Sequence, residues 1–138
     1  MNVLFCLTPK CDCICISEND TLRQTLEKME KASLTSVPLL SSEGVYIGTL
    51  SEGDILWSIK NRFGFHLDLK EAEKVLISEI PRKRDYSPIS VRADMDFVLR
   101  LASVQNFVPV QDDEGKFIGI ITRTDIFRAY LKDKFSQE

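Results

Sequence analysis

The feature of this sequence that most constrains its fold is an internal repeat. Residues 37–56 align with residues 108–127 at a constant offset of 71 and without a gap. Eight of the 20 aligned positions are identical, and others exchange similar side chains, such as Tyr46 for Phe117. Such self-similarity indicates two copies of one supersecondary unit, each of which needs the other to bury its apolar face.

Both copies predict the element order β-α-β-β-α, so the predicted fold class is α/β (α+β) with this unit occurring twice. In the first copy we predict a short strand at 13–16, a helix at 21–31 capped by Asp20, strands at 36–40 and 45–50, and a helix at 52–61. In the second copy the corresponding elements are predicted at 89–91, 95–104, 107–111, 117–121 and 123–134. Short helices at 3–7 and 73–80 are predicted to lead into the copies. The duplication divides the chain into residues 1–66 and 67–138.

The first helix of each copy is predicted from helical spacing of apolar residues. Leu22, Leu26 and Met29 recur along one side, which must face a core. Leu22 corresponds to Met95 at an offset of 73 rather than 71. The second copy is therefore two residues shorter between its first helix and its second strand, just before Asn106.

The composition fits a soluble globular protein and argues against two classes of partner. Of the 138 residues 43% are hydrophobic, which is enough to close a core. The net charge of −3 gives no positive field, so neither nucleic acid nor an anionic membrane is an expected partner. No apolar run approaches the ~20 residues of a membrane span. The first residues lack the basic region of a signal peptide, and we therefore expect a cytoplasmic protein.

Four cysteines crowd into one short segment, namely Cys6, Cys11, Cys13 and Cys15. In the predicted strand Cys11, Cys13 and Cys15 would share one face, where parallel thiols are poorly placed to pair as disulfides. A zinc site needs four ligands, and the single histidine is the distant His66. We interpret the cysteines as reduced apolar residues, with metal or redox chemistry as the alternative.

The motif Gly-x-x-Ser/Thr-x-x-Asp occurs once in each copy, with Ser51 and Asp54 in the first and Thr122 and Asp125 in the second. One interpretation is a helix capping box, in which both side chains bind backbone N–H groups. The other is a ligand site. The helix N-terminus and the hydroxyl suit a phosphate, and the carboxylate can accept the two hydroxyls of a ribose.

Two further observations bear on this motif. Gly48 and Gly119 carry no Cβ and are expected to let the ligand lie close to the backbone. The sequence contains no Walker-type loop, HExxH motif or paired-carboxylate arrangement, so no catalytic site is predicted and the protein is not expected to be an enzyme.

The duplicated motif, with the Val-Pro-Val/Leu and Glu-Gly sequences of each copy, resembles a tandem pair of CBS (cystathionine-β-synthase) domains of the small stand-alone bacterial type. The resemblance covers residues 3–130 or so. It implies two repeats packed with pseudo-twofold symmetry, disc-like homodimers, and adenosine nucleotides in clefts between the repeats. The expected function is a regulatory module that binds AMP, ADP, ATP or cyclic di-AMP, needs no cofactor, and signals to an unidentified partner protein. The alternative is a structural or interaction pair with vestigial clefts that bind no nucleotide.

The resemblance also implies which residues line each cleft. The first expected set is Thr8, Pro9, Lys10, Ile14, Leu34, Thr35, Ile120, Thr122, Arg123 and Asp125. The second is Thr49, Ser51, Asp54, Pro81, Arg82, Tyr86, Gln105 and Asn106. Arg123 and Lys10 are expected to contact phosphate. The second copy is shortened before Asn106, and Glu52 places a negative charge where the other copy has Arg123, so we expect the cleft of Thr122 and Asp125 to be the occupied one.

Three other features receive plainer interpretations. Trp57 and Phe127, on the final helix of each copy, are interpreted as core residues or as anchors of a dimer interface. The basic run at 82–84 is interpreted as a solvated linker, with phosphate contact or nucleic-acid binding as the alternatives. His66 is interpreted as a surface residue, because no serine or cysteine pattern near it suggests a catalytic triad.

Overall fold

The computed structural model describes residues 1–32 and 34–136 and contains two compact units. The second-repeat unit combines Met1–Cys13 with the chain from Tyr86 onward, and the first-repeat unit is Ile14–Asp85. Each unit therefore holds one repeat together with the segment that leads into the other repeat. The division at residue 66 refers to the duplicated sequence and stays a prediction.

Strands and helices follow the order expected from the repeat. In chain order they are β1 (Thr8–Pro9), β2 (Ile16–Ser17), α1 (Leu22–Ala32), β3 (Ser36–Leu40), β4 (Tyr46–Ser51), α2 (Glu52–Phe63), α3 (Leu69–Ala72), β5 (Ile89–Ser90), α4 (Met95–Ala102), β6 (Phe107–Gln111), β7 (Phe117–Thr122) and α5 (Arg123–Ser136). Short 3₁₀ turns occupy Val3–Cys6, Lys10–Asp12 and Ile77–Glu79. The mixed α+β class and the doubled β-α-β-β-α order are confirmed.

The first-repeat unit is built on a sheet with the strand order β2-β3-β4. Strand β2 is parallel to β3, and β3 is antiparallel to β4, with Val37 opposite Leu50. Both of these side chains are fully buried, and Leu22 and Met29 of α1 are buried with them in one core. Leu26 packs partly buried against the same core. The apolar stripe predicted for α1 is therefore confirmed.

The second-repeat unit is built on a sheet with the strand order β1-β7-β6-β5. Its core contains Val108 and Ile121 from the central strands and Val98 from α4. Val3 and Cys6, from the 3₁₀ turn before β1, are buried in the same core. Burial of these apolar side chains fixes the N-terminal segment to the second repeat.

Helices α1, α2, α4 and α5 begin and end within two residues of their predicted positions. Helix α2 ends at Phe63 because Gly64 adopts the left-handed conformation with φ of 57°. Within residues 1–32 and 34–136, none of the helices combines the length and the apolar character needed to cross a bilayer.

The strand predicted at 13–16 is shorter and begins later than predicted. The chain forms the 3₁₀ turn Lys10–Asp12, and strand β2 is limited to Ile16–Ser17. The thiol of Cys13 donates instead toward the carbonyl oxygens of Pro9 at 3.3 Å and Thr8 at 3.5 Å. The cysteines do not share a strand face, because the chain turns here after placing β1 beside β7.

Asp20 does not cap α1 as predicted. The Thr21 hydroxyl accepts the Gln24 N–H at 3.1 Å, and the Gln24 side-chain oxygen accepts the Thr21 N–H at 2.8 Å. The capping box therefore lies one residue later than predicted. The Asp20 carboxylate instead accepts the Ser17 N–H at 3.0 Å and pairs with Lys28 at 2.7 Å.

The helix predicted at 73–80 is also wrong, since the chain forms α3 and then only a 3₁₀ turn. The Leu22 N–H donates to the Val75 carbonyl at 2.7 Å, and the Ile77 N–H donates to the Asp20 carbonyl at 2.8 Å. These hydrogen bonds hold the segment against the start of α1, so its backbone groups are not available for helical bonds.

Candidate functional site

Both copies of the Ser/Thr-x-x-Asp motif form helix capping boxes. At α2, Ser51 Oγ accepts the Asp54 N–H at 3.1 Å and Asp54 Oδ2 accepts the Ser51 N–H at 3.0 Å. At α5, Thr122 Oγ1 accepts the Asp125 N–H at 3.1 Å and Asp125 Oδ2 accepts the Thr122 N–H at 2.9 Å. The capping interpretation is confirmed for both copies. A capping box uses one of the two carboxylate oxygens, so it is compatible with a second role for the other.

The segment that leads into the first repeat completes a site in the second-repeat unit. Strand β1 lies antiparallel to β7, with Thr8 opposite Ile120. The Thr8 hydroxyl donates to Asp125 Oδ2 at 2.7 Å. Five residues predicted for one cleft thus come together within this unit, and we name them the Thr122 site: Thr8, Pro9, Ile120, Thr122 and Asp125.

The two motif glycines face other parts of the chain. A Cβ on Gly119 would lie 2.2 Å from the Thr8 carbonyl oxygen, and a Cβ on Gly48 would lie 2.3 Å from Asp85 Oδ1. The expectation that these glycines open the backbone to a ligand is therefore wrong. Each glycine instead admits a segment of its own unit, because any larger residue would collide with it.

Asp125 is the carboxylate with an unused oxygen. It is partly exposed, and its Oδ2 accepts both the Thr8 and the Thr122 hydrogen bonds, whereas Oδ1 accepts none from residues 1–32 and 34–136. The N-terminus of the 14-residue helix α5 adds unbonded N–H groups and a partial positive charge. The Thr122 site therefore combines a carboxylate oxygen, a hydroxyl and a helix N-terminus.

The two cations predicted for this site are placed differently from each other. Arg123 Nε donates to the Ala102 carbonyl at 2.7 Å, and its Nη2 donates to the Gln105 carbonyl at 3.1 Å. The guanidinium thus binds the C-terminal end of α4, which is a structural role. Lys10 is exposed in the 3₁₀ turn directly after β1. Lys10 directly follows Pro9 in the chain and is therefore the cation next to the Thr122 site in sequence.

The first-repeat unit holds the corresponding residues of the other copy. We name them the Ser51 site: Thr49, Ser51, Asp54 and Arg82. Asp54 is only 4% exposed, and its Oδ1 accepts the Lys83 N–H at 3.1 Å in addition to the Ser51 N–H on Oδ2. The Thr49 hydroxyl is buried against the Tyr46 hydroxyl at 2.6 Å. The protein itself therefore engages both oxygens of Asp54 and the hydroxyl of Thr49.

Asp85 contacts this site and is absent from the predicted set. Its Oδ1 accepts the Thr49 N–H at 3.0 Å and Arg82 Nε at 2.8 Å, and its Oδ2 accepts Arg82 Nη2 at 3.3 Å. Burial raises the pKa of Asp85, but the hydrogen bonds from Arg82 and from the Thr49 N–H outweigh burial and hold this pKa below its ordinary value. Nothing in the sequence except the Arg82-x-x-Asp85 spacing points to this carboxylate.

Several other predicted residues lie in the unit opposite to the motif with which they were grouped. Ile14, Leu34 and Thr35 belong to the first-repeat unit, and Tyr86 and Asn106 belong to the second-repeat unit. Their membership of either site stays a prediction.

Several of these residues have contacts inside their own unit. Tyr86 packs edge-on against Phe107 with 4.9 Å between ring centroids. The buried Gln105 amide donates to the carbonyls of Ser87 and Phe107, so it stabilises the chain before β6. Pro81 lines a cavity of about 330 Å³ beside α2.

The cysteines form no cluster suited to a metal ion. Within the described residues, no three His, Cys, Asp or Glu side chains are grouped to hold one, and each cysteine keeps a thiol. Burial, assisted by the nearby Asp125 carboxylate, raises the pKa of the Cys6 thiol. A raised pKa keeps this thiol protonated, which argues against a reactive thiolate at Cys6.

The comparisons with known proteins agree with this architecture. The CBS domain family model matches residues 7–61 and 77–132. Inosine-5'-monophosphate dehydrogenase of Methanocaldococcus jannaschii is 25% identical over 117 residues, which is 85% of this chain and 21% of that enzyme. The chain thus spans about a fifth of the length of that relative.

Two solved structures are similar to the whole chain or nearly so. The structure of CbpB in complex with c-di-AMP has a TM-score of 0.81 at 24% identity, covering 100% of this chain and 91% of that chain. The structure of CBSX2 in complex with AMP has a TM-score of 0.71 at 21% identity, covering 93% and 94%. At these identities the likeness shows the fold.

Proposed function

The chain belongs to the CBS domain family, and we propose that it is a regulatory protein that binds an adenosine nucleotide at the Thr122 site. The observation that supports this most directly is the state of Asp125. Its Oδ2 is held by Thr8 and Thr122, and Oδ1 accepts no hydrogen bond within the described part of the chain. A carboxylate that is fixed in place with one oxygen unused is suited to bind hydroxyl groups of a ligand.

The ribose is proposed to bind Asp125. The 2'- and 3'-hydroxyls of a nucleoside are two neighbouring donors, and Oδ1 has two lone pairs to accept them. Hydrogen bonds to an ionised carboxylate are roughly twice as strong as bonds between neutral groups. Because this interaction uses Oδ1, the cap of α5 by Oδ2 stays intact when the ligand binds.

The phosphate and the base are assigned to the remaining parts of the site. The Thr122 hydroxyl and the N-terminal N–H groups of α5 are proposed to bind phosphate, with Lys10 as the cation. Pro9 and Ile120 are proposed to contact the base with their apolar surfaces. Ile14, Leu34 and Thr35 are retained from the family pattern as further residues around the base.

Structures of the same fold hold cyclic di-AMP or AMP. These ligands share an adenosine and a phosphate, but they differ in the ribose: AMP has both the 2'- and the 3'-hydroxyl, whereas the 3'-oxygens of cyclic di-AMP are esterified. An Asp125 that requires both hydroxyls therefore favours AMP, ADP or ATP over cyclic di-AMP. This difference makes the choice among the ligands testable.

We propose a regulatory rather than a catalytic role. A ligand can shift a protein between two arrangements only by the difference in its affinity for them. The output is proposed to be contact with a regulated partner protein, and the protein is proposed to act in the cytoplasm as a homodimer. The competing function is a structural CBS pair that binds no nucleotide, which is favoured by the completeness of both capping boxes without a ligand.

The test is calorimetric titration with AMP, ADP, ATP and cyclic di-AMP, together with 2'-deoxy-AMP and ribose 5-phosphate. We expect at least one adenosine nucleotide to bind. The variant Asp125→Asn keeps an oxygen for the cap but loses the charge, and it should bind about 10- to 100-fold more weakly. Asp113→Asn, which alters an exposed pair with Arg92, is the matched control and should bind as the parent does.

The ligand series tests the same assignment from the other side. The affinity of Asp125→Asn for AMP and for 2'-deoxy-AMP should differ less than in the parent, because the 2'-hydroxyl has lost its charged acceptor. Absence of heat with every nucleotide would favour the structural alternative. Equal binding by the parent and Asp125→Asn would contradict the ribose assignment.

A further inference from the structure

Residues 82–85, which we name the strap, lie across the Ser51 site within the first-repeat unit. The Lys83 N–H donates to Asp54 Oδ1 at 3.1 Å. That oxygen corresponds to the unused Oδ1 of Asp125 in the other copy of the motif. The strap therefore already occupies the position on Asp54 that the proposed function assigns to a ribose.

The strap also covers the backbone of β4 next to this carboxylate. Asp85 Oδ1 accepts the Thr49 N–H at 3.0 Å and occupies the space that Gly48 leaves beside the strand. In the other copy this edge is covered by β1, whose main chain pairs with β7. In the first-repeat unit the negatively charged Asp85 side chain takes the place of that neutral strand. It contacts Thr49, which lies two residues before Ser51 in β4.

Arg82 holds Asp85 in place. Its Nε and Nη2 donate to the two carboxylate oxygens at 2.8 Å and 3.3 Å, which is a bidentate pair. The Arg82 guanidinium, expected from the sequence to line this cleft, is thereby committed to the strap. A phosphate arriving at Ser51 would meet the Asp85 carboxylate, whose partner Arg82 is already engaged.

We infer that the strap closes the Ser51 site, so that each chain binds one nucleotide, and that the Asp85 carboxylate is the residue responsible. This inference rests on the proposed function of the Thr122 site. Removing the carboxylate eliminates the bond to the Thr49 N–H and the pair with Arg82, and leaves only the Lys83 N–H on Asp54. Ligand hydroxyls then compete with one backbone hydrogen bond instead of the whole strap.

The experiment counts AMP equivalents by calorimetry in four proteins: the parent, Asp125→Ala, Asp85→Ala, and the double variant. We expect one, none, two and one equivalents in that order. Trp57, the single tryptophan, follows Asp54 by three residues on α2, and the Lys83 ammonium lies 5.9 Å from its ring. Its fluorescence should change together with the added equivalent. Asp113→Ala is the control for loss of a paired aspartate and should bind one equivalent.

The four proteins separate the two hypotheses. The parent and Asp125→Ala report on the proposed function. The strap is tested by comparing the parent with Asp85→Ala and Asp125→Ala with the double variant, and these comparisons remain informative if the parent binds no AMP. Two equivalents in the parent, or no added equivalent in Asp85→Ala and in the double variant, would overturn the inference. If Asp85→Ala does not fold, Asp85→Ser removes the carboxylate and keeps a small polar side chain, and failure of that variant to gain any AMP binding would overturn the inference as well.

Discussion

Asp54 and Asp125 occupy the same position in two copies of one motif, yet their second oxygens differ. Both carboxylates cap a helix through Oδ2. The Oδ1 of Asp54 is bonded to the Lys83 N–H, and Asp54 is buried, whereas Asp125 remains partly exposed. Whether Oδ1 is left unused therefore depends on the neighbouring segment rather than on the motif itself.

The Asp85 carboxylate should contribute to stability in a pH-dependent way. Its pKa in the folded protein is lower than the ordinary value of 3.8, so its contribution is fully present above the unfolded pKa and is lost as the pH falls through the folded pKa. The free energy of unfolding, measured with urea, should therefore be lower for Asp85→Asn than for the parent at pH 7. This difference should shrink below about pH 4.

Asp113→Asn is the control for this pH series, because it removes a carboxylate from an exposed ion pair. Its free energy of unfolding should stay within about 0.5 kcal/mol of the parent at pH 7. A difference between the parent and Asp85→Asn that remains constant from pH 7 to pH 3 would contradict the assigned hydrogen bonds.

At the scale of elements, Arg123 connects the start of α5 with the end of α4. Its two hydrogen bonds satisfy the carbonyl of Ala102, the last residue of α4, and the carbonyl of Gln105 just beyond the helix. Arg123→Ala should lower the free energy of unfolding by about 1–3 kcal/mol, since a charged donor is removed from buried acceptors. Urea denaturation followed by circular dichroism measures this change.

The same variant decides between the two roles of Arg123. If the guanidinium is structural, it makes no contact with the nucleotide. The nucleotide affinity of folded Arg123→Ala should then stay within about twofold of the parent, a change of ~0.4 kcal/mol in binding free energy. Arg92→Ala, from the exposed pair with Asp113, should alter neither property. A tenfold loss of affinity in Arg123→Ala would restore the phosphate contact predicted from the sequence.

Elements with a strong apolar period could be predicted from the sequence, and segments governed by distant pairing could not. Helix α4 follows from Met95, Val98 and Ala102, which are all buried. The predicted helix at 73–80 failed because Val75 and Ile77 pair with the chain at the start of α1. Such hydrogen bonds depend on which distant segments pack together, and this cannot be predicted from the helix propensity of the segment alone.

The candidate site shows the same limit. The hydroxyl and carboxylate positions of both motifs were predicted by repetition, and Thr8 was predicted by family resemblance. Asp85 was missed because its partner Thr49 lies 36 residues earlier in the chain. The repeat identifies residues that recur, whereas Asp85 has Cys13 at the corresponding position after the shared proline and therefore does not recur.

At the scale of the whole molecule, the second-repeat unit presents an apolar surface on α5. Phe127 is 70% exposed, and Tyr130 and Leu131 are exposed beside it. Phe127 and Tyr130, with Leu99 of α4, line an apolar groove of about 370 Å³. Exposed apolar side chains that adjoin one another indicate an interaction surface. We expect this surface to form the homodimer contact, so the molar mass from light scattering should be twice that of the chain.

A glutamate at position 127 would place a charge in that contact without disturbing the core, because the Phe127 side chain is already exposed. Phe127→Glu should therefore be monomeric, with an unchanged free energy of unfolding once the contribution of dimerisation is removed. Phe97→Glu is the matched control: Phe97 is 47% exposed on α4 but lies about half a turn from Leu99, so this variant should remain dimeric. A parent protein that stays monomeric at ~100 μM would exclude the α5 surface as a homodimer contact, since a stable interface holds at concentrations far below this. If Phe127→Glu remains dimeric, the dimer contact lies on another surface, and the groove has no proposed occupant.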